Sequence, residues 1–236
     1  SIPVFRKEIV MVYLLLADGF EECEALYPLD LLRRAGVDVR TVSVSGAPTV
    51  TGAHGVCVWA DLLPEGAKEA AEMVILPGGM PGSLNLDASP VTDRILAATV
   101  EAGGRLAAIC AAPLVLGKRG YLEGKRATCF PGFEEYLEGA TVGGKVIRDG
   151  KIITAAGMGV ALEFGLALVA ALCGEEKADT PEKVRYDMRC YCLYDETWTL
   201  DAGELTLEQY DYKAFRYVTL IPSPGVEILE VTALVR

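Results

Sequence analysis

Leu106-Ala107-Ala108-Ile109-Cys110-Ala111-Ala112-Pro113 runs from a continuous apolar stretch straight into a helix-like one. Arg105–Ile109, set off by Gly103-Gly104, reads as a strand covered on both faces. Ala111–Arg119, stopped by Gly120, reads as the following helix. Cys110 therefore lies at the carboxyl end of a central strand, where sites form in open α/β sheets. Backbone N–H groups at a helix start favour thiolate over thiol and could hold an oxyanion. A strand-to-helix turn of this kind also exposes nucleophiles. The same stretch fits a buried cysteine acting as a small apolar residue. Both readings stay open on this stretch alone.

Outward from it, apolar runs and amphipathic stretches alternate over roughly residues 9–175. Ile9–Ala17 is a buried-strand pattern, and Asp18-Gly19 is a turn signal. Glu21–Ala35 carries acids in its first turn, Arg33-Arg34 in its last, and Gly36 as a stop. Val37–Ser43 and Met73–Leu76 read as strands, and Pro90–Ala102 as a helix with proline at its start. Lys145–Ala155 reads as a hairpin turning at Asp149-Gly150, and Gly159–Cys173 as an apolar helix. The fold class implied is α/β, a mostly parallel sheet with helices on both faces.

Composition shifts near Asp179-Thr180-Pro181. Six of the ten tyrosines and Trp198 lie beyond it, in alternating runs that suggest antiparallel strands. The expected organisation is an α/β domain over 1–178 and a β-rich extension over 179–236. Residues 1–9 are expected to supply a strand, to the tail module or to the domain.

The formal net charge of −11, with no basic cluster, argues against a nucleic-acid partner. No apolar run approaches the roughly 20 residues of a membrane span, and the first residues do not read as a signal peptide. Seven scattered cysteines in a chain of 236 residues point to free thiols in a reducing cytoplasm. No metal or other cofactor is expected. Cys190-Tyr191-Cys192 lacks a second ligand pair for zinc.

Two further motifs should meet Cys110. Pro77-Gly78-Gly79-Met80-Pro81-Gly82 follows a neighbouring strand, and Gly78 and Gly79 allow close backbone approach and could supply N–H donors. It lacks the Gly-Lys-Ser/Thr of a phosphate loop. Glu21-Glu22-Cys23-Glu24 opens the first helix, where Glu21 and Glu22 complement the helix dipole.

With these motifs in order, the chain resembles the ThiJ/PfpI family over residues 10–176, in the branch of the Parkinson-disease protein deglycase. The resemblance rests on Ala17-Asp18-Gly19-Phe20-Glu21-Glu22-Cys23-Glu24-Ala25, Arg33-Arg34-Ala35-Gly36, Leu76-Pro77-Gly78-Gly79 and Ala108-Ile109-Cys110-Ala111-Ala112-Pro113. It implies a flavodoxin-like three-layer sandwich and a homodimer. It also implies Cys110 as nucleophile and oxidation-sensitive site, Glu24 as its hydrogen-bonding carboxyl, and N–H donors at Gly79 and Ala111. The implied chemistry is glyoxalase or deglycase action on a small reactive 2-oxoaldehyde or its adduct. A redox role through a Cys110 sulfinate is implied equally.

One position departs from that pattern. Branch members often carry histidine where Ala127-Thr128-Cys129-Phe130-Pro131 places Phe130. The sole histidine, His54, sits in a turn, so a protease triad has no evident base. His54 and Cys129 remain secondary candidates, against the plainer readings of a solvated turn histidine and a buried thiol. Cys23, Cys57 and Cys173 read as packing residues. Asp211–Val218 and Pro3–Glu8 resemble short strand segments of bacterial α-L-rhamnosidase β-modules, which would make the tail a carbohydrate-binding or interaction module.

Overall fold

The computed structural model describes residues 11–178 apart from residue 69. The expectations for 1–9 and 179–236, including the β-rich extension, its Cys190 and Cys192, and the rhamnosidase-like segments, lie outside the described residues.

The chain opens with β1 (Met11–Leu16), α1 (Glu22–Arg34) and β2 (Asp38–Ser43). A small antiparallel hairpin follows, β3 (Thr49–Thr51) and β4 (Cys57–Trp59). Next come β5 (Met73–Leu76), α2 (Gly82–Asp87), α3 (Pro90–Glu101), β6 (Arg105–Ile109) and α4 (Pro113–Gly117). Two short strands, β7 (Arg126–Ala127) and β8 (Thr141–Val142), precede the hairpin β9 (Val146–Asp149) and β10 (Ile152–Ala155). The described segment ends with α5 (Ala161–Cys173) and α6 (Glu175–Ala178).

Six strands form the central sheet in the order β2-β1-β5-β6-β10-β9. All its pairings are parallel except β10 with β9. The first five strands follow the doubly wound flavodoxin-like order, whose direction reverses between β1 and β5. Ligand sites form outside the carboxyl ends of strands at such a reversal.

The buried strands are nearly uniform in apolar character because both faces are covered. Successive side chains point to opposite faces. Leu15, Val74, Leu76, Leu106 and Ala108 thus join the layer of Leu86, Ile95, Leu96 and Leu114–Leu116 from α2, α3 and α4. Leu14, Leu16, Ile75, Ala107, Ile109 and Ile153 join the layer of α1 and α5. α1 and α5 pack closely because Gly165 presents no side chain: a Cβ there would lie 2.6 Å from Leu31 Cδ1 and 3.2 Å from Pro28 Cα.

Two elements differ from the sequence expectation. The helix expected over Ala111–Arg119 is helical only over Pro113–Gly117. Ala112 N–H bonds the Ile109 carbonyl and Leu114 N–H bonds that of Ala111, the tight i→i+3 pattern, and Pro113 has no N–H to continue an α ladder. The short α2 was not anticipated, since its first residues, Gly82-Ser83, are weak helix formers.

Candidate active site

Cys110 follows β6 directly, with φ +64°, the one positive φ of a non-glycine residue among the described residues. A side chain there costs on the order of 1–3 kcal/mol, so the surroundings must hold it. They do so through main-chain bonds: Cys110 N–H donates to the Ala155 carbonyl at 2.9 Å, and its carbonyl accepts from Phe130 N–H at 2.8 Å. This conformation turns the half-buried thiol to the carboxyl end of the sheet. There the backbone N–H groups of Ala111 and Gly79 face the sulfur. Gly79 has φ +91°, and any Cβ on it would press into Gly19 and Phe20. The Gly78 carbonyl accepts from Glu21 N–H at 2.9 Å, fastening the loop after β5 to the head of α1.

Glu24 lies in the first turn of α1, wholly buried. Neither carboxylate oxygen makes a hydrogen bond of full geometry. They are faced instead by the Cys110 thiol and by the N–H groups of Gly78 and Met158. Burial, with the nearby Glu21 charge adding to it, pushes the Glu24 carboxyl up to about 7 against the pull of these three donors. Burial likewise pushes the Cys110 thiol up to about 12; the Glu24 charge and its hydrogen bond add to that, while Ala111 and Gly79 N–H groups oppose it. The N–H groups at the helix start thus act on the sulfur in the expected sense, and burial and Glu24 act against them. Burial and Glu24 outweigh the two N–H groups, and the short α4 offers little dipole. The two groups form a coupled pair that shares a proton above neutral pH.

The other acids serve elsewhere. Glu21 caps α1, its Oε2 accepting from Glu24 N–H at 2.7 Å. Glu22 anchors the turn after β3: its carboxylate accepts from His54 N–H at 2.7 Å and lies 2.8 Å from His54 Nδ1. Val56 N–H reaches the same carboxylate at 3.4 Å. His54 is otherwise exposed, as a turn histidine tied to Glu22. Glu21, Glu22 and His54 bring potential metal-ligand atoms within 4.8 Å of one another, but each already serves the protein's own N–H groups or partner.

Cys129 is buried in the apolar layer of α2, α3 and α4, and burial pushes its thiol up to about 11. Phe130 beside it is half exposed, with its ring against Gly157. Met158, whose N–H faces Glu24, was not anticipated; the glycine-flanked turn Gly157-Met158-Gly159 after a strand was the available signal.

The chain and fold that carry this arrangement are matched by known proteins. The DJ-1/PfpI family matches residues 10–171. This chain belongs to that family. It is 40% identical over 167 residues to Protein DJ-1 homolog B of Arabidopsis thaliana, covering 69% of this chain and 38% of that longer protein. It is 33% identical over 174 residues to the Glutathione-independent glyoxalase DJR-1.2 of Caenorhabditis elegans, covering 71% of this chain and 90% of the relative. The structure of oxidized Toxoplasma gondii DJ-1 superposes with a TM-score of 0.70 at 35% identity, covering 75% and 96% of the two chains. DJ-1-type architecture thus accounts for the α/β domain. No helix among the described residues is long and apolar enough to cross a membrane.

Proposed function

We propose that this DJ-1/PfpI protein is a cofactor-independent, cysteine-dependent enzyme acting on small 2-oxoaldehydes or their adducts. The observation that carries this reading is the convergence of Glu24 and Cys110 on one buried point beside Gly78, with two N–H donors on the sulfur. The Cys110 proton passes to Glu24 as sulfur attacks the aldehyde carbon, giving a hemithioacetal. Gly79 and Ala111 N–H groups are placed to stabilise its oxyanion. A carboxyl near pKa 7 is suited to give and take protons at neutral pH. Glu24 first returns the thiol proton to that oxygen, then carries the C1 proton to C2 while the hydroxyl proton moves from O1 to O2. The resulting thioester is hydrolysed, so one water is consumed and a 2-hydroxy acid leaves with the thiol regenerated.

Turnover of methylglyoxal to lactate by the wild type, abolished in Cys110→Ala, is the expected result. Turnover retained by Cys110→Ala would end the proposal. A redox reading is favoured by the same N–H donors, which suit sulfinate oxygens, and by a Glu24 carboxyl able to donate when protonated. Peroxide would then give one species two oxygens heavier at Cys110, in a protein that turns over no 2-oxoaldehyde. The homodimer and cytoplasmic location remain part of the proposal. The carbohydrate-binding alternative concerns residues 179–236 and is tested by deleting them.

A further inference from the structure

Three large apolar residues have main chain at or next to the Cys110–Glu24 pair. Phe130 is 48% exposed, Met158 54% and Met80 46%, high values for residues of this kind. Each is tied to the pair through its own backbone or its neighbour's. Phe130 N–H bonds the Cys110 carbonyl, Met158 N–H faces the Glu24 carboxylate, and Met80 follows Gly79, whose N–H faces the sulfur. Phe130 is fixed more closely still. The position of a Cβ on Gly157 would be 3.3 Å from Phe130 Cδ2 and 3.9 Å from Glu24 Oε1, so ring and carboxylate both come close to one point. The bare backbone of Gly157 makes room for that ring.

The charges point the same way. Among the described residues, the groups that act on Glu24 and Cys110 are each other, Glu21 and backbone N–H groups, with no cation among them. His54, the sole histidine, is engaged with Glu22. A substrate carboxylate would meet negative charge without a partner, whereas an uncharged apolar group would meet an aromatic ring.

Resting on the reading of Cys110 as the nucleophile, we propose that Phe130 is a specificity-determining residue that selects neutral carbonyl substrates bearing an aryl or bulky apolar group. The ring packs against the substrate's side group while sulfur addresses the adjacent carbonyl carbon. Contact between two aromatic rings discriminates by about fivefold.

Two measurements test this separately from turnover. First, Cys110 is alkylated with 2-chloroacetophenone and with chloroacetone, where sulfur displaces chloride in both, and the rate ratio is compared with that of N-acetylcysteine. The wild type is expected to exceed the free-thiol ratio by about fivefold, Phe130→Ala to return to it, and Phe130→Leu to fall between. Second, kcat/KM for phenylglyoxal against methylglyoxal should shift by a similar factor in the same variants. A wild-type alkylation ratio equal to that of the free thiol, or a ratio unmoved by Phe130→Ala, overturns the assignment. Absence of all 2-oxoaldehyde turnover would end the proposed activity, yet the alkylation ratio would still decide the role of Phe130.

Discussion

Glu24 and Cys110 meet across Gly78: a Cβ on that glycine would lie 2.6 Å from Cys110 Cβ and collide with Glu24 Oε2. The carboxylate comes from the head of α1 and the thiol from the end of β6, so the contact joins segments distant in sequence. Gly78 is the residue that lets them close. Gly78→Ala should therefore push the two groups apart while the sheet, whose core lies below, stays intact. Turnover of methylglyoxal should drop by about 100-fold or more, the scale of a displaced acid–base group. Unchanged turnover would show that the pair does not need this contact.

The pH dependence of Cys110 reactivity follows from the coupled pair. Below about 7 the Glu24 carboxyl is protonated and cannot take the thiol proton; above it, the pair holds one proton between carboxylate and thiol. Alkylation of Cys110 by iodoacetamide should accordingly rise as pH passes through about 7. Glu24→Gln should remove that inflection and leave only the thiol's own titration. An unaltered profile in Glu24→Gln would place the controlling group elsewhere.

Stability carries the opposite imprint. The Glu24 carboxyl is raised from 4.5 to about 7 by folding, so the native state binds the proton more tightly than the unfolded chain. Its contribution is complete below pH 4.5 and is lost as pH rises through about 7. The loss amounts to at most about 3 kcal/mol. Glu24→Gln, which is always uncharged, should melt higher than the wild type at pH 8, with the difference shrinking at pH 5. Thermal melts at the two pH values decide it: a gap that is larger at pH 5 contradicts the burial argument.

The seam between α1 and α5 depends on Gly165. A Cβ there meets Leu31 Cδ1 at 2.6 Å and the Pro28 backbone at 3.2 Å, and only the leucine tip can move. Gly165→Val should cost about 1–3 kcal/mol by overpacking, read as a lower denaturation midpoint at unchanged slope. A midpoint equal to the wild type's would mean that the helices separate freely.

What the sequence made legible was local. The apolar runs at Met73–Leu76 and Arg105–Ile109 and the turn at Asp149-Gly150 correspond to β5, β6 and the β9–β10 hairpin. Cys110 at the end of β6 could be placed from its flanks. The role of Glu22 could not, because its partners His54 and Val56 stand more than thirty residues away. Read locally, three acids at a helix head are alike; the fold gives one to a cap, one to a loop and one to Cys110. The electrostatics of Cys110 also escaped local reading. A turn motif suggests N–H groups but says nothing of how deeply a neighbouring carboxylate is buried.

The Glu22 anchor makes a last prediction with a defined pH window. Burial pushes the Glu22 carboxyl up, but bonds from the His54 imidazole and the His54 and Val56 N–H groups outweigh it, leaving the carboxyl below its ordinary 4.5. The hydrogen bond to Glu22 raises His54 above its ordinary 6.5. Glu22 contributes fully above pH 4.5 and fades as pH falls through its lowered value. His54 contributes fully below pH 6.5 and fades as pH rises through its raised value. Both are engaged between these limits, so the turn should be held most firmly there. Amide exchange, corrected for its intrinsic pH dependence, should show His54 and Val56 best protected in that interval. Glu22→Ala should expose both amides at every pH, whereas His54→Ala should spare them and remove only the loss of protection on the alkaline side. Equal protection of the two amides in wild type and Glu22→Ala would refute the anchor.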